Sequence, residues 1–333
     1  MREASINDIA RELNVSKTTV SFVINGKGDE KKISKTTQKR ILDLVEEWNY
    51  HPNKIAQALK KGRSKTIGYI VPDISDSFYA RVARLLENHC RLNGYQLIIG
   101  STADDDENET HLIQEMINNQ IDGLVIAPAH MGNAGNRYRK SIRNDFPLVV
   151  FDRFVEDYEV NFVGIENQKS MQEIVQLCIS EGFHKIGLIS LPATVDTIRE
   201  RIDGYCDGLR ANGMQVEEKF IHIVRKDFLP EDIAHSLEYF LNHGCNAVVA
   251  TNNLLAPQLI KQVNTYYSSK LDSIRLIMFD DLEMFDFVKP KIYSVAQPID
   301  QIAIKIAELI NESIRNSAMP RNKYILKPEL ITR

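Results

Sequence analysis

Four hydroxyls and a lysine stand together near the start of the chain: Ser16, Lys17, Thr18, Thr19 and Ser21, within VSKTTVSFVINGKG at 15–28. With the β-branched Val20, Val23 and Ile24 they are poor helix formers, yet the spacing predicts a short helix closed by Gly26. Short hydroxyls donate to phosphate without holding a helix away from it, and a helix N-terminus favours an anion. Lys17 can reach a guanine edge or a phosphate, and Thr18 a thymine methyl. The competing reading is an ordinary capped surface helix.

A second group of reactive side chains follows apolar runs of strand length. Phe78 and Tyr79 come after TIGYIV, Asp152 and Arg153 after PLVVF, Asn252 and Asn253 after NAVVAT, and Asp280 after RLIMF. Arg201 lies on the helix after KIGLIS, three residues before Gly204. Acids, an amide and an arginine suit hydroxyls, and aromatic faces suit a sugar ring or a base. Each could instead be a structural cap or a buried pair.

Other patterns lead nowhere. DDDENE at 104–109 opens a helix, where acids favour the dipole, and has no spaced ligand set for a metal. GNAG at 132–135 lacks the Lys-Ser/Thr of a phosphate loop and reads as a loop. The eight histidines form no HExxH or CxxC/H set, and there is no GxSxG. No catalytic constellation, metal or cofactor is expected. Cys90, Cys178, Cys206 and Cys245 are far apart and read as buried free thiols of a reducing cytoplasm. No apolar signal region opens the chain, and no run is long enough to span a bilayer, so a cytoplasmic protein with no membrane partner is expected.

The head that carries the hydroxyl helix reads as three short helices. Ser5 with Asp8 has capping-box spacing, and Ile6, Ile9, Ala10 and Leu13 share one face up to Asn14. Ser16 caps the second helix, with Val15 and Val20 as a hydrophobic staple; Val20, Val23 and Ile24 face inward and leave Lys17, Thr18, Ser21 and Phe22 outside. After the loop GKGDEKK, Ser34 caps a third helix with an inward stripe of Ile41, Leu44, Val45 and Trp48. Two short helices joined by a tight turn, with a polar face on the second, make a helix-turn-helix. Charge agrees: residues 1–63 hold 13 Lys+Arg against 8 Asp+Glu, and the other 270 hold 28 against 37. A basic head on an acidic body points to a polyanion partner for the head alone.

From Thr66 onward, apolar runs (TIGYIV, YQLIIG, GLVIAP, PLVVF, KIGLIS, NAVVAT, RLIMFD) alternate with helical periods. This is the pattern of parallel sheets buried on both faces. It also repeats. IGYIV at Ile67 and IGLIS at Ile186 are 119 apart, as are RLNGYQ at Arg91 and RANGMQ at Arg210. Two similar lobes follow, with a ligand cleft between them at the carboxyl ends of the strands.

IxDIARELNVSKTTVSxVxNG, then YHPNKIAQALKKGRSKTIGYIVPDISDSFY, resembles the lactose-repressor (LacI/GalR) family of bacterial transcription regulators. The resemblance runs to the closing KPELITR. It implies an all-α helix-turn-helix headpiece on an α/β periplasmic-binding-protein-like effector domain of two Rossmann-like lobes. The expected divisions are a headpiece at 1–51, a hinge at 52–63 and a body at 64–333. Lobe one takes about 64–163 plus 295–322, and lobe two about 164–294 plus 323–333.

By the same resemblance Lys17, Thr18 and Phe22 face bases, while Ser16, Thr19, Ser21 and Asn25 hold the DNA backbone. Ser5, Ser34, Asn53 and Ala56 complete the DNA-facing set. Leu59 matches the hinge-helix leucine that wedges between base pairs. Pro52 suits the start of that helix and Gly62 its end. Phe78, Tyr79, Asp152, Thr197, Arg201, Phe228, Asn252 and Asp280 match effector-contacting positions. Two departures stand out. Many members carry Arg where this chain has Phe22, which offers only apolar contact to a base. The loop GKGDEKK is about three residues longer than usual; its lysines either add phosphate contacts or are simply solvated.

The expected function is a ligand-controlled transcription regulator, in its commonest form a repressor. It binds a palindromic double-stranded DNA operator as a homodimer and answers a small-molecule effector such as a sugar or sugar derivative. A purine corepressor is the alternative ligand. A binding receptor without a DNA role and an α/β enzyme are the alternative classes; the basic head argues against the first and the missing catalytic set against the second. The chain ends without a heptad tail, which favours a dimer over a tetramer.

Overall fold

In the computed structural model the chain divides into two compact units, Met1–Ser64 and Lys65–Arg333. The structure describes residues 5–50, 63–130, 134–268, 273–289, 291–316 and 319–333. The hinge residues Pro52, Asn53, Ala56, Leu59 and Gly62 lie outside the described residues.

The head holds α1 (Ile6–Glu12), α2 (Lys17–Ile24) and α3 (Lys35–Glu47). Their caps are the serines read from sequence: Ser5 with Asp8 in a capping box, Ser16 accepting from the Thr19 N–H, and Ser34 from the Thr37 N–H. Asn14 and Gly26 take the left-handed conformation that ends a helix. Ile9, Ala10, Val20, Val23, Ile41 and Leu44 form the buried core, with Val15, Ile24, Val45 and Trp48 packed against it.

The body is two six-stranded sheets. The first joins β1 (Thr66–Val71), β2 (Gln96–Ser101), β3 (Gly123–Ile126), β4 (Leu148–Phe151), β5 (Asn161–Ile165) and β11 (Lys323–Leu326), in the order β11-β5-β4-β3-β1-β2. The second joins β6 (Ile186–Ser190), β7 (Ile221–Ile223), β8 (Ala247–Ala250), β9 (Arg275–Phe279), β10 (Ile292–Ala296) and β12 (Glu329–Thr332), in the matching order β12-β10-β9-β8-β6-β7. The pairings are parallel except β10 with β12. The repeat thus places β1 and β6 at equivalent positions, and Gly94 and Gly213 both have φ above +70°.

Three crossings join the lobes, each a little later than expected. β5 runs through Ile165 in the first sheet and β10 through Ala296 in the second. β11 pairs with β5, so the last crossing falls after Leu326 and not before Lys323. Helices α4 (Ser77–Leu92), α5 (Asp106–Asn118), α6 (Ala134–Ser141), α7 (Asn167–Ser180), α8 (Asp196–Ala211), α9 (Leu229–Asn242), α10 (Ala256–Tyr266) and α11 (Ile299–Arg315) complete the body. Ala134 and Gly135, expected in a loop, open α6. The acids of DDDENE do open α5, with Asp105 as its cap. The four cysteines are free and buried. No described helix is long and apolar enough to cross a membrane.

Candidate functional site

On the head, Lys17 and Thr18 are exposed, and Ser21 and Phe22 are half-buried. Ser16 and Thr19 bond one another through their hydroxyls at 2.8 Å, and Asn25 Nδ2 donates to the Ser21 carbonyl at 2.7 Å. The residues assigned to the DNA backbone therefore also fix the two ends of α2. The long loop is an ordered turn. Asp29 accepts from Lys35 at 2.8 Å and Gln38 at 2.9 Å, contacts that hold its carboxyl below the ordinary value. Lys31 places its ammonium 5.5 Å from the Phe22 ring, so a loop lysine joins the face that α2 presents.

In the body, equivalent strands deliver equivalent acids. Asp152 follows β4 and Asp280 follows β9, and their N–H groups donate to Val163 and Val295 at 2.9 and 3.0 Å. Both have positive φ, 62° and 76°. Asp tolerates that conformation better than most residues, but it still costs about 1–3 kcal/mol and concentrates at functional sites. Each carboxylate is aimed by the strained turn that ends its strand.

Arg201 is positioned by helix packing. A Cβ on Gly204 would come within 2.2 Å of the Gln168 carbonyl oxygen, so this glycine lets α8 lie directly on α7. That approach brings Asn167 Oδ1 to accept from Arg201 Nε at 2.9 Å, while Nη1 donates to the Thr251 carbonyl at 2.9 Å. The guanidinium lies 3.7 Å from the centre of the Phe279 ring, and the side chain is 4% exposed.

Around this arginine the lobes meet. Tyr79 donates its hydroxyl to Asp152 Oδ2 at 2.7 Å, and its ring packs edge-on against Phe78 and Phe151. Asn253 donates through Nδ2 to Asp76 Oδ1 at 2.7 Å and through its N–H to Asp280 Oδ2 at 3.1 Å. The Phe154 N–H donates to Asp196 Oδ2 at 2.8 Å, and Gln297 Nε2 donates to Asp280 Oδ1. At one side Arg153 binds Asp104 at 2.8 Å and Lys226 reaches Asp104 from the other lobe at 3.3 Å. A cavity of about 80 Å³ lies among Ser77, Phe78, Asn253, Asp280 and Gln297.

Burial raises the carboxyls of Asp76, Asp152 and Asp196 above the ordinary value. Arg153, Arg201 and the Tyr79 hydroxyl oppose that shift at Asp152, and Asn253 and the Phe78 N–H oppose it at Asp76. Burial also pushes Asp104 up, but Arg153 and Lys226 outweigh it and hold the carboxyl low.

The expected effector residues are thus mostly brought together. Phe78, Tyr79 and Asp152 come from one lobe, and Thr197, Arg201, Asn252 and Asp280 from the other. Thr197 is buried, with its N–H on Asp196 Oδ1, and Asn252 Oδ1 is buried without a partner. Phe228 stands apart: it is 48% exposed and its ring is covered by Arg225. Sequence reasoning missed Asp76, Asp196, Asn167 and Gln297, and it read Asp104 only as part of a helix start. Asp76 carried a usable signal, since an Asp before a helix is a cap. Asp196 opens a helix, where acids are favoured, but its bond to Phe154 lies 42 positions away, and Asn167 and Gln297 gave no signal because their partners are distant in sequence.

Comparison with known proteins agrees with this architecture. Residues 5–53 match the model of bacterial regulatory proteins of the lacI family. Residues 64–327 match that of periplasmic binding proteins and the sugar-binding domain of the LacI family. The fructose operon regulatory protein of Vibrio cholerae is 29% identical over 312 residues, covering 90% of each chain. The lac repressor dimer bound to operator and an anti-inducer has the same fold, with a TM-score of 0.82 at 17% identity over 99% of this chain and 98% of that one. So does the Cra dual regulator of Pseudomonas putida in complex with fructose 1-phosphate, with a TM-score of 0.72 at 22% identity over 81% and 98%. With its head and its body each matching that family, the chain belongs to the LacI family of bacterial transcriptional regulators.

Proposed function

We propose that this regulator is a repressor whose head reads a palindromic operator as a dimer and whose cleft binds a sugar or sugar derivative. The observation that carries the effector reading is Arg201. It is a buried cation on an aromatic face, anchored by Asn167 and the Thr251 carbonyl, and it acts on Asp152, which also feels the inter-lobe acid Asp196. Such a planar polar cluster beside aromatic rings is suited to ring hydroxyls. In the head, Lys17, Thr18 and Phe22 read bases and Ser16, Thr19, Ser21 and Asn25 hold phosphates; Ser5, Ser34, Asn53, Ala56 and Leu59 complete the interface.

Dimer formation has its own support. The edge strands β2 and β7 expose Ile98, Ile99 and Ile223, and Phe287 is 87% exposed. An apolar edge strand invites pairing, and a second copy would cover it. Effector binding would alter the lobe angle and so bias the hinge that Leu59 serves; a few kcal/mol of differential affinity is sufficient.

Operator selection from a random DNA pool with full-length protein tests the reading. The expected product is a palindrome with a flexible central step, read opposite Phe22 by a base that takes apolar contact. Weak, salt-sensitive binding without enrichment, with and without candidate effectors, would remove the DNA-reading role.

A further inference from the structure

The charge and hydrogen-bonding capacity of the cleft narrow its ligand beyond a sugar in general. Six carboxylates lie along it: Asp73, Asp76, Asp104, Asp152, Asp196 and Asp280. They act on one another, Asp280 and Asp152 on Asp76, Asp196 on Asp152, and Asp104 on Asp73. Against them stand Arg153, Arg201, Lys226 and Arg81, so the cleft is net negative.

The cations have already spent part of their donor capacity on the protein. Arg153 gives Nη1 to Asp104 and to the carbonyls of Pro128 and Ala129, while its buried Nε has no hydrogen-bond partner and lies 4.0 Å from Asp152. Lys226 is held at Asp104. Arg201 has spent Nε and one Nη1 hydrogen on protein acceptors, which leaves Nη2 and the second Nη1 hydrogen. Arg81 borders the small cavity but is exposed, where solvent and salt screen its pull on an anion.

Several acceptors remain to be satisfied. Asp152 engages the Tyr79 hydroxyl through Oδ2 only, Asp76 receives both its bonds on Oδ1, and Asn252 Oδ1 is buried without a partner. A hydroxyl can donate to such atoms while accepting from Arg201 Nη2, and an ammonium only donates. A phosphate dianion only accepts, and it would bring two negative charges among carboxylates already crowded by burial.

We infer that the cleft takes a sugar or polyol recognised through hydroxyls or an amine, and rejects the phosphorylated form of the same sugar. This rests on the effector reading of the cleft given above.

Isothermal titration of the full-length protein at low salt tests it with three panels. The first holds D-fructose, D-glucose, D-mannose, D-ribose, cellobiose and D-glucosamine. The second holds fructose 1-phosphate, fructose 6-phosphate, glucose 6-phosphate, mannose 6-phosphate and ribose 5-phosphate. The third holds hypoxanthine and guanine. A ligand from the first panel is expected to bind, with its phosphate on the order of 100-fold weaker. The gap should shrink by about threefold in Asp76→Asn, which removes one charge and keeps the single accepting oxygen that both of its bonds use. A phosphate that binds as well as or better than its parent sugar, and is lost in Arg201→Ala, overturns this inference and leaves the effector reading standing. A purine alone, or no ligand from any panel, overturns both.

Discussion

In the head, Ser5, Ser16 and Ser34 each cap a helix by binding a residue three positions on, and Asn25 binds four positions back. In the body, Tyr79 reaches Asp152 across 73 positions, Arg201 reaches Asn167 across 34, and Asp76 and Asn253 are 177 apart. The head builds its functional face from local rules, and that face stays open to solvent. The body builds its cleft from packing between distant elements, and most of it is buried. Function and stability should therefore be separable at the base-reading residues of the head, though not at its caps, and entangled in the body.

The largest effect is expected where the cleft depends on close packing. Gly204→Ala places a Cβ against the Gln168 backbone, which cannot swing aside as a side chain can. We expect a loss of about 3 kcal/mol in urea denaturation of the body. Effector binding should fall with it, because Asn167 and Arg201 no longer meet. Normal effector affinity in this variant would break the link between packing and site.

Lys17→Ala is the counterpart in the head. Lys17 is exposed and no cap depends on its side chain, so the melting of the head should be unchanged. Operator affinity should fall by about 1–3 kcal/mol in a titration by fluorescence anisotropy if it reads a base. An equal loss on every DNA sequence would make it a phosphate contact instead.

This contrast also explains what the sequence disclosed. The three caps, the staple and the inward stripe of the head are short-range patterns, and all were readable. The strands TIGYIV to RLIMFD were readable because parallel strands buried on both faces are apolar throughout, and the exposed edge strand β2 was readable because it keeps an apolar run. β5, β7, β10, β11 and β12 were not: Asn161, Gly164 and Ser294 interrupt the apolar runs of β5 and β10, and β7, β11 and β12 are three or four residues long and nowhere fully buried. In the cleft, Asp152 and Asp280 were found by their place after strands. Asn167 could not be, since its role exists only because Gly204 lets two helices touch.

Asp76→Asn should act in the opposite sense from most substitutions. Burial and the neighbouring Asp280 and Asp152 raise the Asp76 carboxyl, so its ionised form is disfavoured in the fold. An amide keeps an acceptor for the Phe78 N–H and removes the charge. The body should melt a few degrees higher at pH 7, where roughly 2–4 °C corresponds to 1 kcal/mol for a domain of this size. The gain should be complete above the raised pKa. It should vanish as the pH falls through that value toward the ordinary 3.8, because the wild-type carboxyl is then protonated too. A gain that persists in acid would point to packing and not charge.

Lys31→Ala probes the smallest effect, at a contact that the local caps of the head do not supply. Its ammonium reaches the Phe22 ring from nine positions away, pairing the lengthened loop with the recognition helix. The contact is exposed and worth about 0.5 kcal/mol, so the melting temperature of the head should barely move. The salt dependence of operator binding is the sharper readout. If Lys31 also meets a phosphate, the slope of log affinity against log salt should shrink by about one charge. An unchanged slope with a changed base preference opposite Phe22 would mean that Lys31 only positions the ring. An unchanged slope and preference would make the longer loop a solvated turn and leave base reading to α2.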